Sequence, residues 1–418
     1  MPGVVITNHE FEVPLDHANP AGEQITVFGR ELAATENAGR EDLPWLVYLQ
    51  GGPGRQSPRP VSRKTGWIDR ALREYRVFLL DQRGTGRSTP ASRLTLAARG
   101  DARAQATYLT HFRADSIVAD AELIRRRLTG GRPWSVLGQS FGGFCTVTYL
   151  SKAPEGLAEA FITGGLPGLD TTADDVYLAT YPKVLAKNEQ HYAAYPGDAE
   201  LAVRIASHLA GHDIRLPSGA PLTVRTFQTL GMGLGMSTGS QALHFLLEDA
   251  FEGGELGDDF LYRAQAALSF ANGPLFGALH EACYGQGPVT NWAAHRIRAE
   301  FPQFDTGNPL LFTGEMIYPW MFETDPVLQP LAGAAEILAG YEDWPPLYDA
   351  ARLAANEVPV AAAIYYNDMY VPQEFSVRTA TAIKGLRSWV TSEYEHNGLS
   401  ASSDAVLGRL IGMARGSI

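Results

Sequence analysis

The sequence predicts an α/β fold: a mainly parallel sheet with helices on both faces, interrupted by an inserted helical cap. Two observations predict the sheet, because strand-like runs such as "YRVFLLD" and "WSVLGQ" are almost continuously apolar and helical stretches alternate with them. Strands of this kind are buried on both faces, as in parallel sheets. A third observation predicts the cap, since clear strands disappear from the middle of the chain and return near its end.

The first part of the core, residues 1–167, begins with three predicted strands in "HEFEVPL", "QITVFGREL" and "PWLVYLQ". Turn residues in "DHANPAGE" separate the first two. A helix near "GWIDRALRE" precedes the strand "YRVFLLD", and Ile117, Ala121 and Ile124 recur at helical spacing in "ADSIVADAELIRRRL". The strand "WSVLGQ" then runs into a helix over "SFGGFCTVTYLSK", and "LAEAFITGG" is the last strand of this part.

The predicted cap covers residues 168–335 and contains helical stretches such as "DDVYLATYPKVLAKNEQHYAAYP", "SQALHFLLEDAF" and "DDFLYRAQAALSF". The Gly-rich run at 231–240 is predicted to be a loop within it. The core resumes over 336–418 with the strands "VPVAAAIYYND" and "GLRSWVTSEYE", the helix "PQEFSVRTATAIK" between them and a final helix in "SDAVLGRLIGMARG". The chain therefore divides into two core parts and one cap.

The composition excludes several classes of protein. With 46 acidic and 34 basic residues, the net charge of −12 is unsuited to nucleic acid or to anionic membranes. Cys145 and Cys283 are the only cysteines, so there is no disulfide framework and no cysteine-based zinc site. The chain also shows no signal peptide and no run approaching the roughly 18 apolar residues of a membrane span. We expect a soluble, cytoplasmic protein, of unknown oligomeric state.

Ser140 is the candidate nucleophile. It lies in "GQSFG" (138–142), a Gly-x-Ser-x-Gly pattern at a predicted junction of strand and helix, where a tight turn leaves no room for side chains beside the serine. The alternative is an ordinary turn serine, because the five-residue pattern also occurs by chance. Its position between a buried strand and a helix favours the nucleophile.

A serine nucleophile needs a base and an acid, which follow it along the chain in this type of fold. His396 is the only histidine after His295, and it lies just beyond a predicted strand, before a glycine turn. Asp368 follows the preceding strand, whereas Asp349 and Glu357 come before that strand and would lie at its wrong end. We therefore predict that Asp368 orients His396.

The developing oxyanion needs backbone N–H donors in a place that side chains do not obstruct. Gly51 and Gly52 in "LQGGPG" follow a predicted strand, and Phe141 begins the helix after the nucleophile. The alternative for the glycines is a plain turn. Asp81 and Arg83, in "LLDQRGTGRS", are interpreted as a structural pair that braces the loops.

Metal and nucleotide sites are not indicated. "HEACY" begins like the zinc signature His-Glu-x-x-His, but Tyr284 occupies the position of the second histidine. The Gly-rich run at 231–240 lacks the preceding strand and the spacing of a dinucleotide fingerprint, and no P-loop lysine is present.

These motifs together resemble the proline iminopeptidase family of α/β-hydrolases, serine aminopeptidases that remove N-terminal proline. The matching stretches are "GGPG", "DQRGTGRS", "GQSFGG", "NDMYVP" and "EHNG". The chain length and "VPLDHANP" are similar to the longer branch of that family, of roughly 400 residues. Gln50 departs from the pattern, since many members have histidine there, but the backbone donors remain in place.

The resemblance implies a catalytic triad of Ser140, Asp368 and His396, small peptides with a free N-terminal proline as substrates, and no cofactor or metal. It also implies that cap carboxylates bind the α-amino group, beside an apolar pocket for the proline ring. Such an ammonium needs opposite charge and hydrogen-bond acceptors when it is buried. The candidates for the substrate site are the carboxylates Glu281, Glu315 and Glu248 and the aromatic residues Phe141, Tyr318 and Trp320.

Two other functions remain open at this stage. The first is an esterase or amidase of the same fold, because a triad and oxyanion donors specify acyl transfer but not its substrate. The second is a non-catalytic protein that keeps the fold as a ligand receptor. The presence of Ser140, Asp368 and His396 in the expected order argues against the second.

Overall fold

An eight-stranded sheet forms the centre of the protein in a computed structural model that describes residues 1–64 and 66–418. The strands within these residues are β1 (Val4–Pro14), β2 (Gln24–Ala34), β3 (Trp45–Leu49), β4 (Arg76–Asp81), β5 (Trp134–Gln139), β6 (Leu157–Thr163), β7 (Phe251–Glu252), β8 (Glu255–Leu256), β9 (Val360–Tyr365) and β10 (Arg387–Thr391). Their order in the sheet is β1-β2-β4-β3-β5-β6-β9-β10, while β7 and β8 form a separate antiparallel pair. In this sheet β2 pairs antiparallel with both β1 and β4, and all the other pairs are parallel, so the sheet is mainly parallel, as the sequence predicts.

Helices cover both faces of this sheet. Within the described ranges the α-helices of the whole protein, including those that do not pack on the sheet, are α1 (Trp67–Leu72), α2 (Arg93–Ala97), α3 (Ala102–Leu109), α4 (Ala114–Thr129), α5 (Phe141–Lys152), α6 (Ala173–Ala194), α7 (Pro196–Gly211), α8 (Val224–Gln228), α9 (Gly239–Glu248), α10 (Asp258–Leu268), α11 (Pro274–Leu279), α12 (Ala293–Ile297), α13 (Met321–Thr324), α14 (Ala332–Ala339), α15 (Ala350–Ala354), α16 (Gln373–Ala382), α17 (Gly398–Ala401) and α18 (Ala405–Arg415). In the part of the chain that the structure describes, no helix combines the length and the apolar character needed to cross a membrane. Helices α6 to α15 lie between β6 and β9, and we call residues 164–359 the helical insertion.

Burial on both faces explains why the central strands are apolar throughout. Successive side chains of a strand point to opposite faces of the sheet. In β3, Leu46 and Tyr48 belong to the hydrophobic core on one face, and Val47 and Leu49 belong to the core on the other. Every position of such a strand therefore needs an apolar residue. The mainly parallel sheet with helices on both faces confirms the predicted α/β fold class.

The parallel register brings the ends of five strands, β3, β5, β6, β9 and β10, to one edge of the sheet. Leu49 pairs with Gly138, Gln139 with Thr163, Thr163 with Ala363, and Tyr365 with Thr391. The loops that follow β3, β5, β9 and β10 consequently leave the sheet side by side. Ligand sites of open parallel sheets form at this carboxyl edge, and each of these four loops contains residues predicted to belong to the site.

The interpretation of Asp81 and Arg83 as a pair is wrong, although both side chains do brace loops. The guanidinium of Arg83 lies 2.6 Å from Asp120 on α4 and donates to the carbonyl oxygen of Leu15. Asp81 binds Arg59 instead, at 2.5 Å. The chain leaves the sheet after Asp81, so Arg83 extends toward α4, where a buried carboxylate is available.

The prediction of a plain loop at 231–240 is also wrong in part. Residues Thr229–Gly235 form a 3-10 helix, and α9 begins at Gly239. Short 3-10 turns are common connectors, and the absence of side chains at several positions lets this one pack closely. A Cβ atom on Gly235 would lie 2.3 Å from the ring of Tyr370.

The division of the chain into two core parts, residues 1–167 and 336–418, and a cap, residues 168–335, stays a prediction.

Candidate active site

Ser140 occupies a strained turn between β5 and α5. Its φ angle is +57°, in the left-handed region that non-glycine residues rarely adopt and that costs about 1–3 kcal/mol. A Cβ atom on Gly138 would lie 2.2 Å from the carbonyl oxygen of Gly142, and one on Gly142 would lie 1.9 Å from that of Leu49. Neither position has room for any side chain. The two glycines therefore allow the sharp turn that presents Ser140 at the sheet edge.

His396 and Asp368 form a buried pair at the same edge. The Nδ1 atom of His396 lies 2.6 Å from Oδ2 of Asp368. The other carboxylate oxygen, Oδ1, accepts hydrogen bonds from the backbone N–H groups of Tyr370 at 2.8 Å and Val371 at 3.0 Å. A carboxylate held in this way keeps a proton on Nδ1 and leaves Nε2 as the basic nitrogen.

Opposing effects set the protonation of His396. Burial disfavours the charged imidazolium, but the carboxylates of Asp368, Glu315 and Glu395 outweigh burial and raise the pKa of His396 above its ordinary value. The ring therefore holds a proton more strongly than an exposed histidine does. The imidazolium form of His396 would be stabilised chiefly by the carboxylate of Asp368, to which the ring is hydrogen bonded.

Two consecutive glycines after β6 bring Ser140 and His396 together. A Cβ atom on Gly164 would lie 3.2 Å from Nδ1 of His396, and one on Gly165 would lie 2.4 Å from the carbonyl oxygen of Ser140. The imidazole bonds through Nδ1 to Asp368; within the described residues, no hydrogen bond joins it to the Ser140 hydroxyl. The carbonyl group of Ser140 and the imidazole of His396 therefore approach two adjacent residues of the chain.

Backbone N–H groups line the site beside Ser140. A Cβ atom on Gly51 would lie 3.0 Å from the Cβ atom of Ser140, so the loop after β3 lies against the serine. The amides of Gly51 and Gly52 donate to no backbone acceptor in residues 1–64 and 66–418. Phe141 is the first residue of α5, and the first amides of a helix lack intrahelical acceptors and favour negative charge. These donors can stabilise an oxyanion.

Glu315 is the acidic residue of the helical insertion whose charge reaches the pair. Burial raises its pKa to about 7, and the charges of His396, Asp368 and Arg55 also act on it. Since an ionised carboxylate in an apolar setting needs a positive partner, Glu315 is suited to bind a cationic group of a ligand near His396 and Asp368.

An aromatic wall surrounds this carboxylate. Burial raises the pKa values of the Tyr177, Tyr284 and Tyr370 hydroxyls, and the charge of Glu315 raises each of them further. The ring of Phe144 lies 6.4 Å from that of Phe141 and 6.2 Å from that of Tyr284, while Tyr284 and Tyr177 are 6.2 Å apart. A continuous apolar surface therefore extends from the residue after Ser140 to the surroundings of Glu315.

Glu281 has a different environment. Its two carboxylate oxygens accept hydrogen bonds from the backbone N–H groups of Ala293 at 3.0 Å and Ala294 at 2.9 Å, at the beginning of α12. Burial raises its pKa to about 7 against the effect of these bonds. The carboxylate thus binds orphan amides of a helix end, a structural task that Glu315 does not have.

Replacing Glu281 by alanine is expected to lower the free energy of unfolding by about 1–3 kcal/mol, because two buried amides lose their acceptor. Urea unfolding at pH 8, where the carboxyl group is ionised, measures this change. Glu248→Ala is the matched control, since the Glu248 side chain is 47% exposed, and it should leave the urea midpoint unchanged. An unchanged midpoint for Glu281→Ala would contradict the structural role.

Three other predicted substrate residues lie away from the pair. Glu248 is on the exposed face of α9, where it approaches His244 at 3.6 Å. The Tyr318 hydroxyl lies 3.0 Å from that of Tyr181, and Trp320 stacks on Tyr318 and lines a separate cavity of about 460 Å³. Among the described residues, no hydrogen bond or ring contact joins these three to Ser140, Asp368 or His396. Their role in substrate binding stays a prediction without support from these contacts.

Sequence reasoning missed most of the aromatic wall. Phe144 and Tyr370 lie within or beside the stretches "GQSFGG" and "NDMYVP", so their position in the motifs was the available signal. Tyr284 stood out only because it breaks a zinc signature.

For the part of the chain that the structure describes, no group of three or more His, Cys, Asp or Glu side chains could hold a metal ion.

Comparison with known proteins adds four findings. The family model of the alpha/beta hydrolase fold matches residues 44–250. A proline iminopeptidase from Aeromonas sobria is 51% identical over 99% of this chain and 97% of its own length. Another from Aspergillus aculeatus is 35% identical over 96% of this chain and 92% of its own. Among solved structures, an acetylester hydrolase from Corynebacterium glutamicum covers 98% of this chain and 96% of its own at 14% identity, with a TM-score of 0.44.

Proposed function

Because this chain belongs to the proline iminopeptidase family of α/β-hydrolases, we propose that it releases the N-terminal proline of small peptides by acyl transfer to Ser140. The observation that carries the proposal is the buried pair of His396 and Asp368, joined at 2.6 Å, at the sheet edge where the strained turn holds Ser140. Nucleophile, base and orienting acid then occupy the roles of a serine hydrolase triad.

In the first half of the reaction, Ser140 Oγ attacks the carbonyl carbon of the N-terminal proline, and its proton moves to Nε2 of His396. The carbonyl oxygen becomes an oxyanion and accepts hydrogen bonds from the amides of Gly51, Gly52 and Phe141. When the tetrahedral intermediate collapses, the carbon–nitrogen bond breaks and His396 gives its proton to the leaving amine. The shortened peptide departs, and prolyl-Ser140 ester remains.

In the second half, water attacks the ester carbonyl and transfers a proton to His396. Collapse of the second tetrahedral intermediate breaks the bond to Ser140 Oγ, which recovers the proton from His396, and proline is released. Asp368 fixes the imidazole and stabilises its charged form in both halves, without taking the proton itself. The reaction consumes one water and needs no other reactant.

The selectivity for a free N-terminus is assigned to Glu315. A protonated α-amino group placed beside this carboxylate would supply the positive partner that its partly buried position lacks. The part of the aromatic wall that consists of Phe141, Phe144 and Tyr284 would contact the apolar proline ring. An acyl group without a cation would leave the Glu315 carboxylate partly buried and without a positive partner, which disfavours simple esters and N-blocked amides.

The test compares three arylamides on the wild-type enzyme. Prolyl-arylamide should be hydrolysed, and N-acetyl-prolyl-arylamide should show a kcat/KM lower by about 10³-fold or more, because loss of one partner of a buried charge pair costs about 2–5 kcal/mol and acetylation also adds bulk. N-methyl-prolyl-arylamide is the control for bulk, since it keeps the positive charge, and it should retain much of the rate. Equal rates for the free and acetylated substrates would indicate an esterase or amidase of the same fold.

A further inference from the structure

We propose that Lys187 is a positioning residue for His396, and that it acts through Glu395 by holding the loop of the histidine against the helical insertion. The inference rests on the proposed role of His396 as the base. It concerns a residue on α6, which belongs to a different part of the chain from the strands that place the site.

The contact itself is short, and its lysine is buried while its glutamate is partly exposed. Nζ of Lys187 lies 2.6 Å from Oε1 of Glu395, and the lysine side chain is only 6% exposed. Glu395 directly precedes His396 in the chain. A negative partner at hydrogen-bond distance offsets the cost of burying the lysine side chain, so the pair links α6 to the loop after β10.

Two more contacts hold the residues that follow Glu395. The N–H group of His396 donates to the carbonyl oxygen of Gly235 at 3.2 Å. Oδ1 of Asn397 accepts from the N–H group of Ser237 at 2.9 Å and from its hydroxyl at 2.7 Å. Three consecutive residues of the loop are therefore attached to the helical insertion, and the lysine provides the charged attachment among them.

The charges around His396 make the lysine more than a mechanical support. The carboxylates that face the imidazole are those of Asp368, Glu315 and Glu395. Lys187 offsets the charge of Glu395, whereas Asp368 has its own role in orienting the ring. Without Lys187, the uncompensated carboxylate of Glu395 would stabilise the imidazolium, and a larger share of His396 would be protonated and unable to act as a base.

Fluorophosphonate inactivation provides a suitable measurement, because it needs neutral His396 but involves no ammonium group for Glu315 to bind. The acid limb of its pH profile should move to higher pH in Lys187→Met, by about 0.5–1 pH unit. It should move to lower pH in Glu395→Gln, where Lys187 remains as an unbalanced positive charge. The double variant should return the limb close to its wild-type position.

Lys183→Met is the matched control. Lys183 lies one turn earlier on the same helix and pairs with Glu374 at 3.0 Å, outside the loop of His396. The acid limb of the pH profile of Lys183→Met should therefore coincide with that of the wild type. Lys187→Arg keeps the charge and should preserve most of the rate with an unmoved limb.

The outcomes separate this inference from the proposed function. A purely structural contact would lower the rate at every pH without moving the limb, and that result, or shifts in the same direction for the two single variants, would overturn the role of Lys187. If Lys187→Met does not fold, the double variant is compared with Glu395→Gln, because the two differ only in Lys187: the limb should lie at higher pH in the double variant, and coincident limbs would overturn the role of Lys187. Full labelling and hydrolysis by His396→Ala would instead refute the proposed function.

Discussion

Replacing Ser140 by alanine is expected to lower kcat for prolyl-arylamide by a factor on the order of 10⁶ and to abolish fluorophosphonate labelling. The reason is chemical, because no acyl-enzyme can form without the hydroxyl group, and water must then attack the amide directly. His396→Ala should lose activity to a similar extent, since the members of a triad act as one unit and their effects do not add. Steady-state kinetics and mass spectrometry of the labelled protein measure both effects.

Ser151→Ala is the matched control for this loss. Ser151 is on α5, the helix that follows Ser140, and its buried Oγ atom has no hydrogen-bond partner among the residues that the structure describes. Its removal should change neither labelling nor kcat. Labelling of Ser240 should be mapped separately, because its hydroxyl lies 2.8 Å from Nδ1 of His191. A label that persists in Ser140→Ala and maps to Ser240 would contradict the assignment of the nucleophile.

The site at the sheet edge could be predicted because its residues follow strands. Ser140, Asp368 and His396 each come shortly after an apolar run in the sequence, and the parallel register places those strand ends together. The two glycines of "GQSFG" also predicted the tight turn around Ser140, because such a turn has no room for side chains at those positions. The structure adds the atoms that side chains at the glycines would displace, at distances as short as 1.9 Å.

The residues of the helical insertion could not be ranked in the same way. Glu281 and Glu315 both lie among apolar residues in the sequence, and burial raises the pKa of each to about 7. They differ in their surroundings, because Glu281 binds amides of α12 while the charge of Glu315 acts on His396. Helical periodicity places a side chain on a face of its own helix but does not say which distant loop that face meets.

The same limit explains two other results. Tyr318 follows Glu315 by three residues, yet its hydroxyl turns to Tyr181 in the core of the insertion. Lys187 contacts a residue 208 positions away in the sequence. Neither arrangement leaves a local pattern, so contacts between the insertion and the sheet edge had to come from the structure.

Replacing Glu315 by glutamine is expected to lower kcat/KM for prolyl-arylamide by roughly 10²–10³-fold, since removing one partner of a buried charge pair costs about 2–5 kcal/mol. The slow hydrolysis of the N-acetylated substrate should change little, because that substrate has no ammonium group to lose. Glu248→Gln, at an exposed position, should behave like the wild type. Equal losses for both substrates would show that Glu315 shapes the site without binding the amine.

The pH dependence supplies an independent signature of Glu315. Burial raises its pKa from the ordinary value of 4.5 to about 7, so amine binding should weaken as the pH falls below about 7. This ionisation should be missing from the kcat/KM profile of Glu315→Gln, which would retain the ionisation of His396.

Stability should change in the opposite direction from activity in the same variant. A carboxyl group with a raised pKa in the folded state stabilises the protein fully below its unfolded value of 4.5, and that contribution is lost as the pH rises through about 7. At pH 8 the wild type therefore keeps a buried charge that the glutamine variant does not have. Glu315→Gln should unfold at a higher urea concentration than the wild type at pH 8. The free energy of unfolding should be higher by up to about 3 kcal/mol at pH 8, and the difference should be smaller at pH 5. A variant that is both more stable and less active at pH 8 would show that the carboxylate is retained for the substrate, whereas a loss of stability at pH 8 would assign it a structural role like that of Glu281.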